Sequence, residues 1–197
     1  MNNLLETVSN YILSYLTENL SVQLSFHHIQ HTREVVNAAK EIGEQSNLSE
    51  DEMLVLQTAA WFHDCGYATT YIGHEEESKK IANSFLINYG CEESFIQSVL
   101  HCIESTKYPQ KPTSLVDKIL CDADLYHLAL PSYPKYGKAI RKEFEIYLGQ
   151  YYTDEEWLIN NCQFLTNHSY YTDYGKQILE EFKKVNIQLM NCKQNKF

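Results

Sequence analysis

The chain has little of what would mark it for export, membranes or nucleic acid. Its first twenty residues contain neither Lys nor Arg, so the basic start of a secretory signal is missing and a cytoplasmic setting is expected. No apolar run approaches the ~18 residues of a membrane span, and no membrane partner is expected. Basic residues are scarce too: 16 against 26 acidic ones leave a net charge of −10. Such a balance repels an extended polyphosphate backbone, so duplex nucleic acid is not an expected partner. The six cysteines never form a C-x-x-C pair, and they read as reduced, mostly buried thiols.

Proline is confined to two short stretches, around Pro109 and Pro112 and around Pro131 and Pro134, and the seven glycines fall mostly between periodic segments. Strand-like alternation is rare, and apolar residues instead recur at helical spacing. The periodicity predicts helices near 4–18, 30–45, 50–63, 74–89, 92–105, 113–129 and 136–149. Capping boxes open two helices, at Ser49 with Glu52 and at Thr153 with Glu156. A late helix carries Ile178, Phe182, Val185 and Leu189 as an expected buried stripe. At 197 residues and without an internal linker, the expectation is one all-α domain over 1–197, a compact helical bundle.

Three polar residues stand on helix faces that should be buried, where each needs a partner or a cation. His31 shares a stripe with Val35, Ala38 and Ile42, although a lone histidine there can equally be a hydrogen-bonded core residue. His63 lies on the stripe of Met53, Leu56 and Ala60, and Asp64 follows it just before Cys65-Gly66, a natural helix stop. Adjacent helical residues point about 100° apart, so both reach one ion only at a helix end. The alternative is a histidine closing the helix dipole beside an exposed aspartate. Asp124 falls on the face of Val116, Leu120 and Leu128, whereas Asp122 falls with Lys118 on a wetter face, where an i,i+4 ion pair accounts for it. Two imidazoles and two carboxylates suit one divalent metal ion, with Mn, Mg, Fe, Co, Ni and Zn all acceptable.

The segments Phe26-His27-His28-Ile29-Gln30-His31-Thr32 with Val35, Ala60-Trp61-Phe62-His63-Asp64 and Asp122-Ala123-Asp124-Leu125 are similar to the H-T-x-x-V, A-x-x-H-D and D-A-D-L elements of the HD-domain superfamily of metal-dependent phosphohydrolases. The resemblance covers about 26–130, the metal-site core, with C-terminal helices over 136–190 packing on it. It implies a compact helical bundle of the HD-domain type. It also implies metal ligation by His31, His63, Asp64 and Asp124, and cleavage of a phosphate ester or anhydride in a small phosphorylated molecule, a nucleotide being the first choice.

Relatives with a second metal use two further histidines. His74 stands where the first is expected, but Ile103-Glu104-Ser105-Thr106 occupies the place of the second, and His101 lies on a solvated face. One metal is therefore expected. Asp64, His74 and Glu75 are the candidates for handling a proton beside a metal-bound water. Glu75 with Lys79 and Glu76 with Lys80 are also i,i+4 pairs of an ordinary wet helix face. Lys79, Lys107, Arg141 and His168 are the candidate contacts for an anionic substrate. Two other readings keep the same fold: a di-iron oxygenase, which needs both His74 and His101 as ligands, and a catalytically silent nucleotide-sensing protein.

Overall fold

A computed structural model describes residues 2–192; the ends of the expected 1–197 domain, residue 1 and residues 193–197, lie outside the described residues. Among the described residues the fold is all-helical, with no strand. The helices are α1 (Asn2–Asn19), α2 (Ile29–Gln45), α3 (Glu50–Phe62), α4 (His74–Tyr89), α5 (Glu93–Glu104), α6 (Leu115–Asp124), α7 (Tyr133–Glu143), α8 (Asp154–Asn167) and α9 (Glu180–Leu189). None is long and apolar enough to cross a membrane.

Local sequence explains the helix starts. Ser49 and Thr153 each accept from the backbone N–H three residues on, while Glu52 and Glu156 reach back to the cap. Ser114 and Asp117 form a third box at α6. At α2 the cap is an imidazole: His28 Nδ1 accepts from His31 N at 3.3 Å.

Packing then carries the site. α2 lies against α3 and α6, and α3 also meets α5 and α1. Their shared core is built from residues such as Val35, Ile42, Leu56, Phe62, Ile103 and Leu120. At the C-terminal side a smaller core gathers Leu128, Tyr133, Cys162, Leu165 and Ile187.

The segment expected as one helix over 113–129 is two pieces. α6 ends at Asp124, and a 3₁₀ turn, Tyr126–Ala129, follows. Similarly, α7 starts earlier than expected and runs into a wider π turn over Phe144–Leu148.

Four expectations are corrected. The stripe on the last helix faces outward: Ile178, Phe182, Val185 and Leu189 are all exposed. A π turn over Gly175–Leu179 adds a residue to one turn and shifts the phase. The inward face is therefore Leu179, Lys183, Asn186 and Ile187. Its polar members are satisfied, Asn186 Nδ2 donating to the carbonyls of Leu128 and Leu130 and Lys183 pairing with Glu180 at 3.0 Å.

Second, Cys162 and Cys192 form a disulfide that ties α8 to the end of α9, with Cα atoms 5.2 Å apart; Cys65, Cys91, Cys102 and Cys121 remain free. The pairing was invisible in the sequence because the two residues are brought together only by helix packing.

Third, Asp122 is fully buried rather than paired with Lys118. It accepts from Tyr171 N (2.8 Å), Thr172 N (2.9 Å) and Thr172 Oγ1 (2.7 Å), fastening the α8–α9 connection onto α6. Last, the lysines of α4 pair at i,i+3, Lys79 with Glu76 and Lys80 with Glu77, while Glu75 is buried.

Asp122→Ala removes all three acceptor contacts and leaves two backbone N–H groups without their partner, so it should cost about 2–4 kcal/mol in a denaturant titration. Lys118→Ala should change stability by less than about 0.5 kcal/mol. Equal effects from the two substitutions would contradict this placement of Asp122.

Candidate metal centre

Four residues from two helices and the end of a third converge. His31 comes from the first turn of α2, His63 and Asp64 from the C-terminal end of α3, and Asp124 from the last residue of α6. One donor atom from each lies within 4.8 Å of the other three. α3 stops at Phe62, and Asp64 takes φ −108°, ψ 3°. That break turns two adjacent side chains toward one point.

Gly66 is required for another reason than the one expected of a helix stop. A Cβ on it would lie 1.9 Å from the carbonyl oxygen of His74 and 2.7 Å from Ser78 N. The 3₁₀ turn after Asp64 is thus pressed against the start of α4, and Gly66 N donates to Ser78 Oγ at 2.8 Å. This contact delivers His74 to the site: its Nε2 lies 3.6 Å from Asp64 Oδ1.

The donor spacing fits one ion. His31 Nε2 is 3.5 Å from Asp64 Oδ2 and 3.2 Å from Asp124 Oδ1, and His63 Nε2 is 3.3 and 3.6 Å from the same two oxygens. Ligands at about 2.1 Å from a common ion are about 3.0 Å apart at octahedral right angles and about 3.4 Å apart in a tetrahedron. His63 Nδ1–H donates to Ala60 O at 2.8 Å, which leaves Nε2 as the ligating atom. Both His63 Nε2 and Asp64 Oδ2 are buried without a hydrogen-bond partner. This imidazole nitrogen and carboxylate oxygen, 3.3 Å apart and each without a hydrogen-bond partner, form a donor pair that a cation would satisfy.

The local charge points the same way. Burial alone would raise the Asp64 carboxyl, but His63, His27 and His74 hold it well below the usual carboxylate range. Asp124 behaves likewise, with His31 and His63 overcoming its burial. Burial would lower the His63 imidazole, yet Asp64 and Asp124 push it well up. The cavity favours positive charge, which a divalent ion supplies.

Around these four residues lies a group that sequence reasoning missed. Glu143, fully buried at the end of α7, accepts from Phe26 N, His27 N and His27 Nδ1, the last at 2.5 Å. His27 in turn stacks on Tyr67 (centroids 4.1 Å apart), and Tyr67 stacks on His74 (3.8 Å). Glu143 sits at helical spacing from Tyr136 and Ile140, the same signal that singled out Asp124. His127, also missed, donates from Nδ1 to Asp124 O at 3.1 Å. Burial and His31 push its pKa down to about 3.

The other expected residues fall at several places. Glu75 is buried, with Oε2 3.7 Å from His74 Nδ1. Lys79 binds Glu76 and Glu104, and Lys107 lies 3.7 and 3.9 Å from the same two carboxylates. Arg141 ties α7 to the head of α8 through Asp154 and the Tyr152 carbonyl. His168 sits beside buried Lys183. His101 is exposed and meets Thr113 and Asp117, and it is not among the four gathered donors.

The chain matches the HD domain model over residues 28–129, just over half its length, and it belongs to that family. Among solved structures it is similar to a predicted HD superfamily hydrolase from an uncultured Thermotogales bacterium, with 20% identity and a TM-score of 0.65 over 92% of this chain and 88% of that one. It is also similar to Bacillus subtilis YpgQ in complex with ADP, with 20% identity and a TM-score of 0.67 over 98% of this chain and 94% of that one. No curated protein matches it.

Metal titration checks the centre directly. One Mn²⁺ per chain should bind and, at about 100 times its Kd, add about 2.7 kcal/mol of stability, a rise in Tm of roughly 5–10 °C. His31→Ala and Asp124→Ala should abolish both the binding and the rise.

A second check concerns His168, whose pKa is pushed down to about 4 by burial and by Lys183. On acidification the unfolded chain takes this proton first, so the stability from neutral His168 is present above about pH 6.5 and is lost as pH falls toward 4. The loss in wild type should exceed that of His168→Gln by on the order of 1 kcal/mol over this window, measured by thermal melts.

Proposed function

We propose that this chain is a metal-dependent phosphohydrolase that cleaves a phosphate ester or anhydride of a nucleotide. The observation that carries the reading is the buried, orphaned pair of His63 Nε2 and Asp64 Oδ2 inside the four-residue donor set. Family membership supports the hydrolase, and the ADP bound to YpgQ supports a nucleotide.

His31, His63, Asp64 and Asp124 would hold one divalent ion. Bound there, the ion would lower the pKa of a coordinated water and neutralise charge on phosphoryl oxygens. The protein supplies orientation and proton handling. The Ala60 carbonyl fixes the His63 tautomer. Asp64 directs one oxygen at the donor set and the other at His74. Burial lowers the His74 pKa against the pull of Asp64 and Glu75, so its Nε2 is available to take a proton near neutral pH. Glu75, within 3.7 Å of His74 Nδ1, steadies the imidazolium that results. Tyr67, stacked between His27 and His74, limits water on that side.

Lys79 and Lys107 are the candidate phosphate contacts of this proposal, and both carry Glu76 and Glu104 as resting partners. Arg141 and His168 belong to the α7–α9 side, where the organic part of a substrate would lie.

Purified protein loaded in turn with Mn²⁺, Mg²⁺, Co²⁺, Ni²⁺, Zn²⁺ or Fe²⁺ should release phosphate or pyrophosphate from at least one nucleoside mono-, di- or triphosphate. Asp64→Asn should lower kcat by more than about 100-fold, and His74→Gln by about 10- to 1000-fold. A metal-loaded protein inert toward every nucleotide would overturn the proposal.

A further inference from the structure

A cavity of about 320 Å³, lined by His127 and by residues of α7 and α8, lies in the C-terminal half of the chain. We propose that it is the subsite for the base of a nucleoside phosphate. The inference rests on the nucleotide reading above and deepens it, since it names which part of the molecule binds where.

Shape and chemistry both suit a flat heterocycle. The walls include Tyr133, Phe144 and Trp157, with the Phe144 and Trp157 rings 5.9 Å apart at 86°. The two rings already pack edge to face on each other, so a heterocycle would stack on the cavity side of this pair rather than between its members. The volume lies in the range of small-molecule sites, where a mostly apolar lining carries a few convergent polar groups.

Here the polar groups are amides and an imidazole. Asn161 is already committed: its Oδ1 accepts from Tyr133 Oη at 2.8 Å and its Nδ2 donates to Trp157 O at 2.7 Å. It fixes the ring of Tyr133 and the turn that carries Trp157. Asn160, exposed on the preceding position of α8, makes no side-chain hydrogen bond among the described residues. Its amide presents one donor face and one acceptor face, the pattern that a base edge pairs with. His127 spends Nδ1–H on the Asp124 carbonyl, so Nε2 is left as an acceptor for an exocyclic amine or ring N–H.

Placement joins the cavity to the metal centre. The His127 ring lies 6.2 Å from that of His31, and its backbone follows Asp124 by three residues. His127 thus lines the cavity and neighbours His31, and a nucleotide with its base seated there would run its ribose along the His127 ring toward the donor set. An apolar chain such as a fatty acid would fill the space without using Asn160 or His127, and the test distinguishes it.

The sequence has two tryptophans, Trp61 and Trp157, so Trp61→Phe leaves Trp157 as the reporter. In this background, with EDTA present, adenosine should quench Trp157 fluorescence saturably, while ribose 5-phosphate and decanoate should not. Ile140→Phe, which fills the cavity, should weaken adenosine at least ten-fold; should that variant not fold, Asn160→Ala, at an exposed position, should weaken it at least three-fold. With metal, the KM for ribose 5-phosphate should exceed that for the adenosine phosphate at least ten-fold.

Absence of quenching by adenosine, quenching by decanoate instead, or an affinity unchanged in the variants would overturn the subsite. Adenosine binding needs neither metal nor turnover. A chain that binds adenosine yet hydrolyses nothing keeps the subsite and loses the phosphohydrolase; one that hydrolyses ribose 5-phosphate as readily as the nucleotide does the reverse.

Discussion

Two imidazoles and two carboxylates meet where solvent scarcely reaches, and the free energy of that meeting organises the rest of the molecule. Uncompensated, each buried charge would cost several kcal/mol. The imidazoles of His31 and His63 beside the two carboxylates lower that cost, and a divalent ion bound there would lower it further. The apolar stripes of α2, α3 and α6 provide what the cluster lacks: burial of Val35, Ile42, Leu56 and Leu120 holds the three helices together against the repulsion of the carboxylates. The core thus holds the four donors within reach of one ion, and a metal would bind a set already arranged.

The same economy appears around the cluster. Glu143 occupies a second buried carboxylate position, and four donors to it come from Phe26, His27 and Tyr71. It ties the segment before α2 to the end of α7 and so joins the N-terminal half to the C-terminal helices. Asp122 performs a comparable task on the far side of α6, gripping the backbone of Tyr171 and Thr172. Two neighbouring aspartates on one helix, Asp122 and Asp124, therefore face opposite directions with different tasks, one clamping the chain and the other joining the four-residue donor set.

Much of this was legible in the sequence, for reasons that can be named. Helical periodicity placed most helices within a few residues, because their caps are local and their stripes are regular. His31, His63 and Asp124 could be singled out because a polar side chain in an apolar phase is costly unless something meets it. What failed was phase itself. The π turn before α9 rotated Ile178, Phe182, Val185 and Leu189 outward, and no residue type announces an extra residue in a turn. Asp122 was misjudged because its partners are the backbone N–H groups of residues about fifty positions away, which leave no imprint on spacing. The Cys162–Cys192 bridge and the His127 cavity depend in the same way on how α7, α8 and α9 pack.

Gly66 divides the molecule into a part that can change and a part that cannot. With no room for even one methyl between it and α4, the end of α3 and the start of α4 move as a single block, and Asp64 carries His74 with it. Any drift in that joint would move Asp64 and His74 away from the donor cluster together. The walls of the His127 cavity carry no such restriction, because α7 and α8 meet through side chains rather than backbone. A lineage could therefore resize or repolarise those walls residue by residue and acquire new preferences, while the joint at Gly66 stayed fixed like the hinge pin of a tool whose jaws are exchanged.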